Sequence, residues 1–177
     1  EIDPREELVK QLLEYKIYKY TGKLGHANGL AYHNKKLLIA PCANYVTVLD
    51  MGAKGRRTRI ESPVRISGIT YYEGEKYIVL ANHKNERCRF YVISMKDKVI
   101  QESTFVVENT KFADDFTVSQ DISYHDGNLY LIMCTTDKKR SSILQIPYKG
   151  ETGVVKPDLA YLSSKDGGEY ESLAFTK

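Results

Sequence analysis

A four-residue phrase occurs four times in this sequence and constrains its fold more than any other feature. Each copy reads as a small or polar residue, an aliphatic residue, a small residue and an aromatic residue, at residues 29–32, 68–71, 121–124 and 172–175. After each of the first three copies come a polar turn and two further apolar runs, which is typical of antiparallel strands. The copies recur about every 40 to 50 residues, a spacing typical of propeller blades. The phrase therefore predicts an all-β chain built from β-propeller blades.

The turn and strand signals divide the chain into an N-terminal segment and about three four-stranded blades. Asp3, Pro4 and Glu6 are typical of a helix start, whereas residues 15–20 also read as a β-strand. We expect residues 1–22 to hold a short N-terminal α-helix and, as an alternative for its second half, an outer strand that closes a ring. We expect residues 23–177 to hold blades at about 23–62, 63–113 and 114–166, with a further blade starting at 167–177.

Three blades are too few for a closed ring, because known propellers use about four to eight. Open blades expose strand edges and apolar faces. We therefore expect half of a ring of the six-bladed type. A homodimer could complete it, as could a second polypeptide, or the chain could be a fragment of a longer protein.

The repeats resemble six-bladed propellers of the NHL and gluconolactonase kind over residues 25–177. Residues 25–32, which read Gly-His-Ala-Asn-Gly-Leu-Ala-Tyr, also look like a blade opening of secreted bacterial propellers of the helveticin J type. This second resemblance favours a secreted or cell-surface bacterial protein over a cytoplasmic one.

The residue immediately before each phrase is polar and carries a side-chain oxygen. These four residues are Asn28, Ser67, Gln120 and Glu171. In a propeller the innermost strands line the central channel, so we expect these side chains to lie at its mouth. The resemblance to gluconolactonase-like propellers implies a divalent ion there, with Glu171, Asn28 and Gln120 as ligands of Ca²⁺, a hard ion that prefers oxygen. The alternative is that they only line a water-filled channel, because a single carboxylate is little charge for a divalent ion.

Further polar residues fall in loops that would surround the same face: His26, Asn82, His83 and Asp115. We expect them to form a ligand-recognition surface, because no Ser-His-Asp set and no Gly-rich phosphate loop can be drawn from the spacing. His33 and His125 occupy matching turn positions on the opposite face, where we expect solvated side chains.

Charge is mixed, and two short basic clusters stand out, at residues 54–59 and 138–140. They could bind a polyanion, but we expect solvated blade edges, where charge prevents strand-to-strand aggregation. The net charge of +3 over 177 residues is small and gives no sign of a nucleic-acid partner. The apolar runs are far shorter than the roughly 20 residues of a membrane-spanning helix.

Taken together, these features predict a binding or scaffold module rather than an enzyme. We expect it to recognise a protein or glycan partner through the loop face of a propeller, without a cofactor. The alternative is a calcium-dependent hydrolase of the lactonase kind, with the ion in the central channel.

Overall fold

A computed structural model describes residues 26–52, 56–81, 89–94, 99–107, 116–162, 170–173 and 175. These residues are all-β and contain no helix, and therefore no helix that could cross a membrane. The helix and closing strand predicted for residues 1–22 lie outside the described residues. The strands are β1 (Gly29–His33), β2 (Lys36–Ala40), β3 (Ala43–Asp50), β4 (Arg56–Glu73), β5 (Lys76–Ala81), β6 (Arg89–Ser94), β7 (Val99–Val107), β8 (Phe116–His125), β9 (Asn128–Thr135), β10 (Ser141–Pro147), β11 (Gly153–Val155) and β12 (Leu159–Leu162).

The strands form two sheets, with the orders β1-β2-β3-β4-β5-β6-β7-β11 and β12-β10-β9-β8. The long strand β4 belongs to two antiparallel groups: residues 56–61 pair with β3, and residues 66–73 pair with β5. The sequence predicts two separate strands here, and the structure joins them into one. Three antiparallel groups result. The first group is β1, β2, β3 and residues 56–61; the second is residues 66–73, β5, β6 and β7; the third is β8, β9, β10 and β12.

Tight turns close the first hairpin of each group at the places that the sequence predicts. Asn34 and Lys35 have φ angles of 48° and 61°, and Asp126 and Gly127 have 51° and 78°. Positive φ at both central residues marks a type I′ turn, whose twist matches that of the flanking strands. Gly74, with φ of 53°, begins the corresponding turn of the second group. These turns fix which face of each strand is buried.

The core lies between the groups rather than within one sheet. One buried cluster joins the first and second groups: Ala31, Leu38, Ala40, Val46, Val48, Ile60, Ile66, Ile69, Tyr77, Val79, Ala81, Tyr91 and Ile93. Another joins the second and third: Ile78, Leu80, Phe90, Val107, Ile122, Leu129, Leu131, Met133, Leu144, Ile146, Tyr148 and Val155. Because the first cluster joins strands of a single sheet, that sheet curls at β4 until its two halves pack face to face.

The repeated phrase has one side facing each neighbouring group. In β1, Gly29 lies against the second group and Ala31 is buried in the cluster shared with it. Leu30 and Tyr32 point the other way and are 58% and 63% exposed. Ile69, the counterpart of Leu30 in the second group, is fully buried in the cluster shared with the first. Small residues of the phrase therefore face the following group, and large ones face the preceding group.

Aromatic pairs link the groups at the turn end of these strands. The residue that follows each phrase contacts the aromatic residue of the next one: His33–Tyr71 at 3.8 Å, Tyr72–Tyr124 at 4.8 Å and His125–Phe175 at 4.4 Å between ring centroids. His125 is exposed and His33 is partly exposed, as predicted for solvated turn residues, and each imidazole also stacks nearly parallel on an aromatic ring.

The fourth copy of the phrase begins no strand among the described residues. Residues 170–173 and 175 are irregular, whereas the sequence predicts an innermost strand over residues 171–175. The backbone N–H of Tyr170 donates to Ser141 Oγ at 2.8 Å, and the Phe175 ring also lies 4.7 Å from that of Tyr130. This segment therefore packs on the third group through side chains.

Candidate functional site

Three of the four residues that precede the phrases meet at one end of the inner strands. Asn28 Nδ2 donates to the backbone carbonyl oxygens of Ser67 at 2.9 Å and of Gln120 at 2.6 Å. Its own backbone N–H donates to the Ala40 carbonyl at 2.9 Å, which anchors it at the start of β1. One half-buried side chain thus ties together strand starts from all three groups.

Irregularities in the second and third groups make this meeting point. Between the pairs Ile66↔Ala81 and Gly68↔Leu80, β4 has one extra residue, Ser67. A comparable shift occurs in β8 between Ser119 and Ile122, at the residues that precede and begin the phrase. Bulges bend a strand and re-aim a side chain, and they are over-represented next to functional sites. Here they turn backbone carbonyls towards Asn28.

The other predicted site residues differ in exposure. Ser67 is buried and donates its hydroxyl to the Leu80 carbonyl at 3.4 Å, so its side chain faces the protein. Gln120 Nε2 lies 3.3 Å from Cys134 Sγ. Because Cys134 pairs with Ser141, to which Tyr170 is bound, the neighbouring Glu171 lies at the same end of the strands as Gln120.

Two of these residues are open to solvent, namely Glu171 and His26. The backbone N–H of His26 donates to the Pro41 carbonyl at 3.3 Å, which places it beside Asn28. The remaining predicted site residues, Asn82, His83 and Asp115, lie outside the described residues. The exposed imidazole of His26 therefore lies beside the Asn28 meeting point, and the exposed carboxylate of Glu171 lies at the same end of the strands.

Sequence reasoning overlooked the role of Asp121. This residue occupies the first position of the phrase, where the earlier copies have glycine. It is only 7% exposed, and its Oδ1 has no hydrogen-bond partner among the described residues. Burial raises its pKa from 3.8 to about 7, opposed by a hydrogen bond from the backbone of Ile122. A lone ionisable residue among small ones in a repeat was the available signal.

The two glycines of the earlier phrases make room for this carboxyl group. A Cβ on Gly29 would come within 2.8 Å of Gly68 Cα and of the Ile69 backbone nitrogen, and within 3.1 Å of Asp121 Oδ1. A Cβ on Gly68 would lie 3.5 Å from the same oxygen. The inner strands therefore approach each other as closely as backbones without side chains allow, and Asp121 lies against that contact.

The chemistry available here is hydrogen bonding and proton uptake. No group of three or more His, Cys, Asp or Glu side chains is arranged to hold a metal ion among the residues described. The amide nitrogen of Asn28 is committed to two carbonyls, so only its oxygen could contact a ligand. The calcium hypothesis for Glu171, Asn28 and Gln120 stays a prediction.

Comparison with known proteins supports the fold alone. No family model matches the sequence, and no curated protein matches it. Among solved structures, the chain is similar to glutaminyl cyclase from Myxococcus xanthus, with a TM-score of 0.50, 12% identity, and coverage of 72% of this chain and 51% of that one. That glutaminyl cyclase has a propeller-like fold.

Two more distant similarities are to apo AztD from Citrobacter koseri and to the Pan2 WD40 domain of Neurospora crassa. The first has a TM-score of 0.41 and 13% identity, and covers 76% of this chain and 36% of that one. The second has a TM-score of 0.25 and 8% identity, and covers 73% and 52%. This chain thus spans about half or less of the length of these three structures.

Replacement of Asp121 tests its buried state. Because its pKa is higher in the folded protein than in the unfolded chain, the folded state binds the proton more tightly. The free energy of unfolding should therefore decrease as pH rises from about 4 to 7 and then level off. Between pH 5 and pH 8, the free energy of unfolding of the wild type, measured in urea, should fall by about 2 to 3 kcal/mol more than that of Asp121→Asn.

The matched control is Asp126→Asn, because Asp126 is exposed in a turn at positive φ that asparagine also adopts. Its stability should run parallel to that of the wild type at every pH. If the unfolding free energy of Asp121→Asn also ran parallel to that of the wild type at every pH, a buried carboxyl group with a raised pKa would be contradicted.

Asn28→Asp separates a structural tie from a calcium ligand. An aspartate would turn carboxylate oxygen towards the carbonyls of Ser67 and Gln120, so the protein should lose about 2 to 4 kcal/mol of unfolding free energy. If Asn28 instead served as a ligand, the added charge should increase the rise of Tm with millimolar calcium. Thermal unfolding of the wild type and of Asn28→Asp, each with and without calcium, distinguishes the two roles. Asn44→Asp, at an exposed site, is the control.

Proposed function

We propose that the three groups are blades of a β-propeller and that the inner strands β1, residues 66–73 and β8 lie beside its axis. Four antiparallel strands per group, face-to-face packing and the shared meeting point at Asn28 support this proposal. The six-bladed type and the resemblance to NHL, gluconolactonase-like or helveticin J-like propellers stay predictions, as does a secreted location.

The proposal includes a further blade beside β1, supplied by a second copy of the chain, by another polypeptide or by the rest of a longer protein of which this sequence is a fragment. Ile69 and Ile122 are buried by the preceding group, whereas their counterpart Leu30 is exposed together with Tyr32. Ile39, opposite Leu30 in β2, is buried. The further blade would therefore contact the first group mainly at its inner strand, β1.

Light scattering tests completion by a second copy. The wild type should have the mass of two chains at about 50 μM, a concentration typical for detecting micromolar association. Tyr32→Glu should shift it to one chain, because a charge is costly in an apolar contact. Tyr161→Glu, at another exposed tyrosine, should remain dimeric. A folded, monomeric wild type would contradict completion by a second copy of the chain.

The proposed activity is binding: the end where the inner strands start recognises a protein or glycan partner. The observation that carries this proposal is the Asn28 tie, which gathers strand starts from three groups beside the exposed His26, with the exposed Glu171 at the same end of the strands. Such an end offers amide, carboxylate and imidazole groups on a rigid scaffold, which suits recognition.

Cross-linking and glycan screening test this activity. A photoreactive phenylalanine at position 26 or 171 should capture a discrete protein from source cells, or the chain should bind a defined subset of immobilised glycans. His26→Ala combined with Glu171→Ala should reduce binding about tenfold or more, as expected for central contacts. The same photoreactive group at position 161 is the control. Neither capture nor glycan binding, or binding unchanged in the double variant, would contradict the proposal.

A calcium-dependent hydrolase is the second candidate. The observation in its favour is the unpartnered Oδ1 of Asp121 near the Asn28 tie. The calcium titration described for Asn28→Asp distinguishes it from the binding module.

A further inference from the structure

A small cleft lies between the first and second groups at the turn end of their strands, away from the Asn28 end. It offers about 240 Å³ of empty space, part of which is open to solvent. Pockets for drug-sized molecules have about 300 to 1,000 Å³, so this cleft suits a smaller ligand. The residues that line it are His33, Asn34, Lys36, Gly74, Glu75 and Tyr77.

The two walls of the cleft carry opposite charges. The first group contributes the ammonium group of Lys36 and the side-chain amide of Asn34. The second group contributes the carboxylate of Glu75 and the side chain of Tyr77. Neither Lys36 nor Glu75 forms an ion pair with any residue in the described part of the chain. A donor wall therefore faces an acceptor wall across a gap that the two charges do not bridge.

Tyr77 places a polar group where the repeat has an aliphatic residue in the third group. Its counterpart there is Leu129, and each of the two pairs with the aromatic residue of its own phrase and is buried. The Tyr77 ring packs edge-on against Tyr71, 5.7 Å between centroids, and His33 stacks on Tyr71 in turn. Burial raises the pKa of Tyr77, with smaller contributions from Tyr71 and from the nearby Glu75. The phenol therefore stays protonated beside the carboxylate.

The corresponding place between the second and third groups is built from other residues. Lys76 begins β5 as Lys36 begins β2, but its ammonium group is paired with Glu73 at 3.1 Å. Gly127 occupies the turn position that Glu75 has in the second group. The opposed charges are therefore specific to the contact between the first and second groups, rather than a general consequence of the repeat.

We propose that this cleft binds a small zwitterion of the α-amino acid type. The ligand's carboxylate pairs with Lys36 and accepts a hydrogen bond from the amide of Asn34, while its ammonium group pairs with Glu75 and donates to the hydroxyl oxygen of Tyr77. Hydrogen bonds to charged groups are roughly twice as strong as neutral ones, and a zwitterion satisfies both walls at once. Because the cleft is separate from the Asn28 end, the inference goes beyond the proposed function and does not depend on it.

Titration of ¹⁵N-labelled protein with glycine and with L-alanine, followed by NMR, tests the proposal. Both amino acids should shift the side-chain amide signals of Asn34 and the backbone amide signal of Gly74. The shifts should saturate with a Kd of about 1 mM or tighter.

Substitutions on each wall separate the two charges. Lys36→Met and Glu75→Gln should each weaken glycine binding about tenfold or more. Tyr77→Phe, which keeps the buried ring, should weaken it about threefold or more. Lys76→Met is the matched control, because Lys76 has the position equivalent to Lys36 but does not line the cleft, and it should bind like the wild type. The dispersion of each spectrum shows whether the variant is folded.

Two comparison ligands distinguish a zwitterion site from attraction by one charge. Acetate and methylammonium each keep one charged group of glycine, so each should bind about tenfold more weakly than glycine. Equal binding of either ion would identify a simple surface charge and overturn the proposal. Glycine binding that is unchanged in Lys36→Met or Glu75→Gln, or the absence of shifts at about 20 mM glycine, would overturn it as well.

Discussion

The close approach of β1 to the second part of β4 is the contact on which the rest of the structure depends. Gly29 lies against the backbone at Gly68 and Ile69, with no space for a side chain between them. Because the strands meet this closely, the curled sheet can pack its two halves face to face and bury the cluster between them. A larger residue at position 29 would force backbones apart, and packed cores tolerate such shifts poorly.

The same constraint explains the repeated phrase and its one exception. Small residues face the following group where inner strands converge, and aliphatic and aromatic residues face the preceding group. Thr70, at a small position, also uses its hydroxyl to accept a hydrogen bond from the Tyr124 backbone at 2.9 Å. Asp121 breaks the pattern with a buried carboxyl oxygen that has no hydrogen-bond partner in the described part of the chain. Native proteins rarely leave such an atom unsatisfied, and a functional role is one reason that they do.

Two surfaces of opposite character follow from this arrangement. The end that contains the Asn28 tie carries an exposed carboxylate, Glu171, and an exposed imidazole, His26. The outermost described strand of the first group carries two exposed arginines, Arg56 and Arg59.

The sequence by itself determined the strands and their turns, because both depend on local chemistry. Continuous apolar runs predicted β2, β5 and β9, and Asp126-Gly127 predicted a tight turn. It also singled out Asn28, Ser67 and Gln120 as equivalent. In the structure the side chains of Asn28 and Ser67 donate to backbone carbonyls, and that of Gln120 lies against Cys134 Sγ. Only the tertiary structure decided that Asn28 ties its neighbours, that His33 stacks on Tyr71 and that Asp121 is buried. Asn28 and Gln120 are 92 residues apart in sequence, and burial depends on which distant strands pack together, which no local pattern encodes.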